Sequence, residues 1–176
     1  MLASAAHNTL ILQNSNFTGV TGSTITVYGG GNGNTISEAG VSGADRTVMK
    51  GGAEADTLVA GRNAVMTGGA GNDLFVFTAP GSVASPDKNR IADFIHGADK
   101  IAFRTFGFGS KPDAAILFGA NATGSFTTSA QRLAYRTTTG ALYYDAHGNA
   151  PGSAHQLVAI LTGHPTLSAA DITFVS

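Results

Sequence analysis

The chain has 176 residues, no cysteine and a formal net charge of −1. That length suits one compact domain or two small ones, the missing thiols exclude disulfides and thiolate metal sites, and the lack of a basic run argues against a nucleic-acid partner. Apolar runs are only strand-sized, so nothing reads as a membrane span. Charged residues make up 12%, and the 24 glycines, about twice the usual share, gather in the first half.

Met1 to His7 has neither a positive n-region nor a long apolar h-region, so it is not an ordinary secretory signal. Asn8-Thr-Leu-Ile-Leu12 and Ser23-Thr-Ile-Thr-Val-Tyr28 are rich in β-formers and separated by polar turns. They read as early rungs of a solenoid, or as a strand capping its first rung.

Three stretches then align: Gly29-Gly-Gly-Asn-Gly-Asn-Thr-Ile-Ser37, Gly51-Gly-Ala-Glu-Ala-Asp-Thr-Leu-Val59 and Gly68-Gly-Ala-Gly-Asn-Asp-Leu-Phe-Val76. Each follows G-G-x-G-x-D-x-U-x, in which a glycine-rich turn binds calcium and a short strand packs inward. Only the third copy matches at every fixed position. A weaker half-coil spans residues 40–48, with Gly43 and Asp45 at its fourth and sixth places, and a shortened one spans residues 60–67. The turns starting at 29, 51 and 68 should stack on one side of the roll, and those near Gly40 and Gly61 on the other.

Calcium takes six to eight oxygen ligands from carboxylates and carbonyls, and a G-G-x-G-x-D turn offers both. Its glycines reach φ > 0 freely, so carbonyls converge, and its Asp adds charge. One turn has too few oxygens; the ion completes its shell from the turn one coil away. The expected ligands are Asp56 and Asp73, with carbonyls of residues 51–55 and 68–72, Gly51, Ala53, Gly68 and Ala70 among them. Asn34 holds the Asp position of the first copy and carries no charge, and Asp45 is a candidate on the opposite side. Glu54 replaces the fourth glycine, would be strained at φ > 0, and could offer a carboxylate instead. The competing reading is a solenoid held by packing alone. Ile36, Leu58, Met66 and Phe75 form the apolar stack in either case.

Beyond Phe77 glycine thins and strand patterns follow: Arg90-Ile-Ala-Asp-Phe94, Lys100-Ile-Ala-Phe103 and Ala115-Ile-Leu-Phe118. A hairpin is expected from Arg132–Arg136 and Ala141–Asp145 around Thr137-Thr-Thr-Gly140. His155–Leu161 reads as a buried strand, Thr166–Asp171 as a single helical turn, and Ile172–Val175 as the closing strand. No stretch sustains a 3.6-residue period, so the chain reads as all-β: a parallel β-roll over residues 1–77, continuing into a β-sandwich-like part over residues 78–176.

The repeats resemble the RTX, or haemolysin-type, calcium-binding β-roll, and the continuation resembles the C-terminal domain of serralysin-type secreted metalloproteases. The residues that carry this likeness are Asp73-Leu-Phe-Val-Phe77, Asn89-Arg-Ile-Ala-Asp-Phe-Ile-His-Gly-Ala-Asp-Lys-Ile101, Leu133-Ala-Tyr135, Thr139-Gly-Ala-Leu-Tyr-Tyr-Asp-Ala-His-Gly-Asn149 and Leu167-Ser-Ala-Ala-Asp-Ile-Thr-Phe174. The resemblance implies a calcium role for Asp93 and Asp99, which could instead cap turns through backbone amides. It also implies secretion by a type I machine that reads Asp171-Ile-Thr-Phe-Val-Ser176, and an upstream catalytic domain. Asn89 and His147 stand where the family has acids, and the chain is less acidic than family rolls.

No H-E-x-x-H, G-x-S-x-G or phosphate-loop pattern occurs, and the five histidines are far apart. His147 could mark a soft-metal or pH-sensitive turn. Tyr135, Tyr143 and Tyr144 could line a sugar groove, or pack on one another across strands. The expected function is a non-catalytic, extracellular calcium module that folds on export; the alternative is an adhesin- or epimerase-type module that binds polysaccharide.

Overall fold

The computed structural model describes residues 9–11, 24–38, 46–61, 63–78, 89–105, 117–152 and 154–175. Nine strands build the coils: β1 (Thr9–Ile11), β2 (Thr24–Gly30), β3 (Thr35–Ser37), β4 (Arg46–Gly52), β5 (Thr57–Ala60), β6 (Ala64–Gly69), β7 (Leu74–Phe77), β8 (Arg90–Ile91) and β9 (Lys100–Arg104). From β2 onward successive strands alternate between two sheets, as a two-sided roll requires. The alternation runs on past residue 77 through β8 and β9.

β10 (Phe118–Asn121), β11 (Leu133–Arg136), β12 (Ala141–Tyr144) and β13 (Gln156–Leu161) then extend one sheet, and β14 (Ile172–Val175) extends the other. The six-stranded sheet has the order β1-β3-β5-β7-β9-β14, with every pair parallel. The eight-stranded sheet has the order β10-β11-β12-β13-β8-β6-β4-β2. Its β12 runs antiparallel to both neighbours, and its other pairs are parallel.

Register explains why the short strands hold. In the six-stranded sheet Leu10, Ile36, Leu58, Phe75, Ile101 and Ile172 stand at equivalent positions. In the other, Val27, Met49, Met66, Ile91 and Leu161 do the same. Both ladders meet in one buried core, where each large side chain contributes roughly 1.5–3 kcal/mol. Phe75 and Phe94 lie 6.2 Å apart, and Phe77 and Phe103 lie 6.0 Å apart. Met66 therefore belongs to the ladder facing Ile36, Leu58 and Phe75.

The expected early rungs are β1 and β2, each paired parallel to the next coil. The hairpin is β11–β12, closed by Gly140 at φ 71°, whose amide donates to the Arg136 carbonyl at 2.9 Å. Two strand expectations need correction. Residues 90–94 form only the two-residue β8, because Asp93 leaves the ladder to bind amides of the coil before it. The strand expected over 115–118 is instead Phe118–Asn121, with residues 115 and 116 outside the described part. The helical turn is a 3-10 segment, η1 (Ala169–Asp171).

Candidate metal centre

The turns at 30–34, 52–56 and 69–73 stack in one column, with Gly30, Gly52 and Gly69 in register. Gly52 and Gly69 have φ of 146° and 105°. A Cβ on Gly52 would lie 1.7 Å from the Gly30 carbonyl oxygen, and one on Gly69 would lie 2.0 Å from that of Gly52. Only glycine permits this stacking.

Down the column each sixth-position side chain accepts the amide of the turn before it. Asn34 N–H donates to Asp56 Oδ1 at 2.6 Å, Asp56 N–H to Asp73 Oδ1 at 2.8 Å, and Asp73 N–H to Asp99 Oδ1 at 3.0 Å. Asp56 and Asp73 are 1% and 2% exposed. Their second oxygens, Asp56 Oδ2 and Asp73 Oδ2, have no hydrogen-bond partner. An unpaired buried carboxylate oxygen costs several kcal/mol unless a cation meets it.

The slot each oxygen faces is defined by the first glycine of its turn. A Cβ on Gly51 would fall 2.3 Å from Asp56 Oδ2 and 2.6 Å from the Gly68 carbonyl oxygen; one on Gly68 would fall 2.1 Å from Asp73 Oδ2. Thus at Gly51 a free carboxylate oxygen and a carbonyl from the next coil converge where a methyl is missing, and at Gly68 the free carboxylate oxygen stands in the same place. Two acceptors with no donor between them form a cradle for a hard cation, and the donor set is calcium-like. Among the described residues no three Asp, Glu or His side chains gather as a metal cluster, so an ion held here would have to take most of its oxygens from the backbone.

Electrostatics agree. Burial pushes the Asp73 carboxyl up from 3.8 to about 6, against the hydrogen bond from Asp56 N–H and with the charges of Asp99, Asp56 and Asp93 adding to it. Burial raises Asp56 and Asp99 as well. The column holds more negative charge than its surroundings neutralise.

The other expected ligands divide. Ala53 and Ala70 sit exposed at the third position of the stacked turns, with Ala70 N–H donating to the Gly52 carbonyl at 3.0 Å. Asn34 is buried and its side-chain amide donates to Asp56 Oδ1 at 3.0 Å and to the Asn32 carbonyl. Asp93 binds Gly68 N–H and Gly69 N–H with its two oxygens at 3.0 and 2.9 Å. Asp99 binds Asp73 N–H and, at 2.7 Å, Ile95 N–H. Both act as turn caps. Glu54 is exposed and has no positive φ, so the expected strain is absent. Asp45 lies outside the described residues.

None of the three tyrosines is the direct cross-strand partner of another, and Tyr135 is buried away from any surface groove. Tyr135 is fully buried, pairs with Leu142, and its hydroxyl donates to the Pro165 carbonyl at 2.8 Å. Tyr144 packs on the same core, whereas Tyr143, the adjacent residue on β12, faces the other side of the sheet.

Several functional contacts had little sequence signal. On the roll's other side Gly61 N–H donates to Glu38 Oε1 at 2.9 Å, and Ala64 N–H to Asn89 Oδ1 at 2.8 Å. Asn89 thus fills its family-acid position as a neutral acceptor. Asp171, read as part of a tail signal, is buried. It accepts Ser168 N–H at 2.8 Å and Gly97 N–H at 3.2 Å, and His96 Nδ1 lies 2.7 Å away. Burial alone would raise its pKa, but these bonds outweigh burial and hold the carboxyl below its ordinary value.

A search of curated protein sequences finds no match. Among solved structures, the AlgE6R3 subunit of the Azotobacter vinelandii mannuronan C5-epimerase is similar, with a TM-score of 0.37 and 20% identity over 96% of this chain and 79% of that one. The family model for the peptidase M10 serralysin C terminal matches residues 6–174. Spanning nearly the whole chain, that match places the protein in the serralysin C-terminal family.

Proposed function

We propose that the chain is a non-catalytic, calcium-binding module of a secreted bacterial protein, one that folds when it meets calcium outside the cell. The observation that carries this reading is the pair of buried, unpartnered oxygens, Asp56 Oδ2 and Asp73 Oδ2, set against glycine slots and a facing carbonyl. Gly51, Ala53, Asp56 and Gly68, Ala70, Asp73 are the proposed calcium residues; Asp93 and Asp99 support them as caps. In a calcium-poor cytoplasm the column's uncompensated charge keeps the roll loose. Outside, an ion that binds the folded form alone stabilises it by mass action.

The proposed export segment fits this sequence of events. Asp171 to Val175 is locked into η1 and β14 in the folded chain, so a type I machine reads it before folding, and a domain placed upstream in the parent protein is exported with it. Calorimetry of protein stripped on a chelating resin tests the proposal. Calcium at 100 times its Kd should add about 2.7 kcal/mol of stability, and magnesium, which demands a tight octahedral shell, should add little. A melting temperature unmoved by millimolar calcium rejects it.

A further inference from the structure

We propose a second metal site, for a borderline transition ion such as zinc, at the mouth of the β12–β13 hairpin, formed by Asp145, His155 and His147. Tyr144 pairs with Gln156 at the end of that antiparallel ladder. The next residues outward, Asp145 and His155, therefore face each other although ten positions separate them.

Asp145 is held rigidly. Its amide donates to the Arg132 carbonyl at 3.0 Å, and its Oδ1 accepts His147 N–H at 2.7 Å. The turn that follows is wedged against the 127–131 loop: a Cβ on Gly148, at φ 64°, would lie 2.4 Å from the Thr128 carbonyl oxygen. Asn149 N–H also donates to that carbonyl, at 3.2 Å. The Asp145 side chain is 1% exposed, and its Oδ2 has no hydrogen-bond partner.

His155 Nε2 stands 3.6 Å from that oxygen. This is too long for a hydrogen bond. It matches the separation of two ligands on one tetrahedral ion, roughly 3.4 Å for metal–ligand bonds of about 2.0–2.1 Å. Phe126 packs on the imidazole, ring centres 4.6 Å apart, and fixes the ring's direction.

His147 Nδ1 lies 4.0 Å from Asp145 Oδ1, and its side chain is 75% exposed. Among the described residues no three such side chains already converge; here two do, and His147 completes the set by turning its solvent-exposed ring. Water takes the fourth position, since the His155 side chain is itself 43% exposed. Two imidazoles and one carboxylate favour zinc, copper or nickel over calcium. The two sites of this protein therefore separate by ligand chemistry.

Zinc titration of the full chain in saturating calcium tests this, read by competition with a chromogenic chelator and by the visible spectrum of the cobalt-substituted form. One equivalent should bind, and cobalt should show the intense bands of a tetrahedral site. His155→Gln and His147→Gln alter exposed side chains and should leave the calcium-dependent melt unchanged. Each should weaken zinc by about 100-fold or more, beyond the loss caused by removing an outer-shell partner. Asp145→Asn should do the same, with its circular dichroism reporting whether it folds. Absence of zinc binding, binding unchanged in both histidine variants, or displacement of all zinc by calcium overturns the proposal.

Discussion

Asp73 carries the sharpest expectations. Its carboxyl titrates near 3.8 when unfolded and about 6 when folded, so between those values the folded chain binds the extra proton. Metal-free protein should therefore lose stability as pH rises from about 4 to about 6. Asp171, held below 3.8, acts in the opposite sense and only at lower pH, where its contribution is lost as the carboxylate takes a proton. Thermal melts of resin-stripped protein across that window check the sign; a melting temperature that rises with pH throughout would contradict it. Asp73→Asn keeps an acceptor for Asp56 N–H but removes the charge. It should be neutral or stabilising without metal and should lose most of the calcium-induced rise, a crossover that paired melts with and without calcium would show. Asp56 and Asp73 were legible in the sequence because a nine-residue pattern marks their turns. Asp145 and His155 were not, because only the ladder register brings them together.

Within single elements, packing and ion binding can be separated. Phe75 lies at the centre of the β7 rung, fully buried and against Phe94. Phe75→Ala should cost about 3–5 kcal/mol, equally with and without calcium, as urea denaturation would show. β14 depends on a different device. Asp171 ties η1 to the 96–97 turn, and Lys100 Nζ adds a 2.9 Å bond to the Ala170 carbonyl. Asp171→Ala should cost about 2–4 kcal/mol by leaving amides unpaired, and hydrogen exchange should accelerate first in Ile172–Val175. The strands of the roll were readable from β-former runs between glycine turns. The early end of β8 was not, because Asp93 is diverted by amides 24 and 25 residues earlier in the chain. Nor was the role of Asp171, since an acid before a short apolar strand looks alike whether it locks a fold or ends a signal.

Over the molecule as a whole, the roll is a set of coils that bury one apolar ladder per sheet while stacking acids along one edge. Packing favours the stack and charge opposes it, and on the proposed function calcium shifts that balance. Asn34 shows how this chain moderates the repulsion: where the repeat expects an acid, an amide donates to Asp56 instead. Asn34→Asp should destabilise the metal-free protein and enlarge its calcium response, measurable by calorimetry. Both sheets could be foreseen in outline, but β13 seating itself parallel to β8 could not, since no local pattern reports a pairing across about seventy residues. The most direct measurement is an anomalous difference map from crystals grown in calcium. The account predicts peaks in the slots beside Asp56 Oδ2 with the Gly68 carbonyl, and beside Asp73 Oδ2. Well-ordered turns with no density in either slot would contradict it.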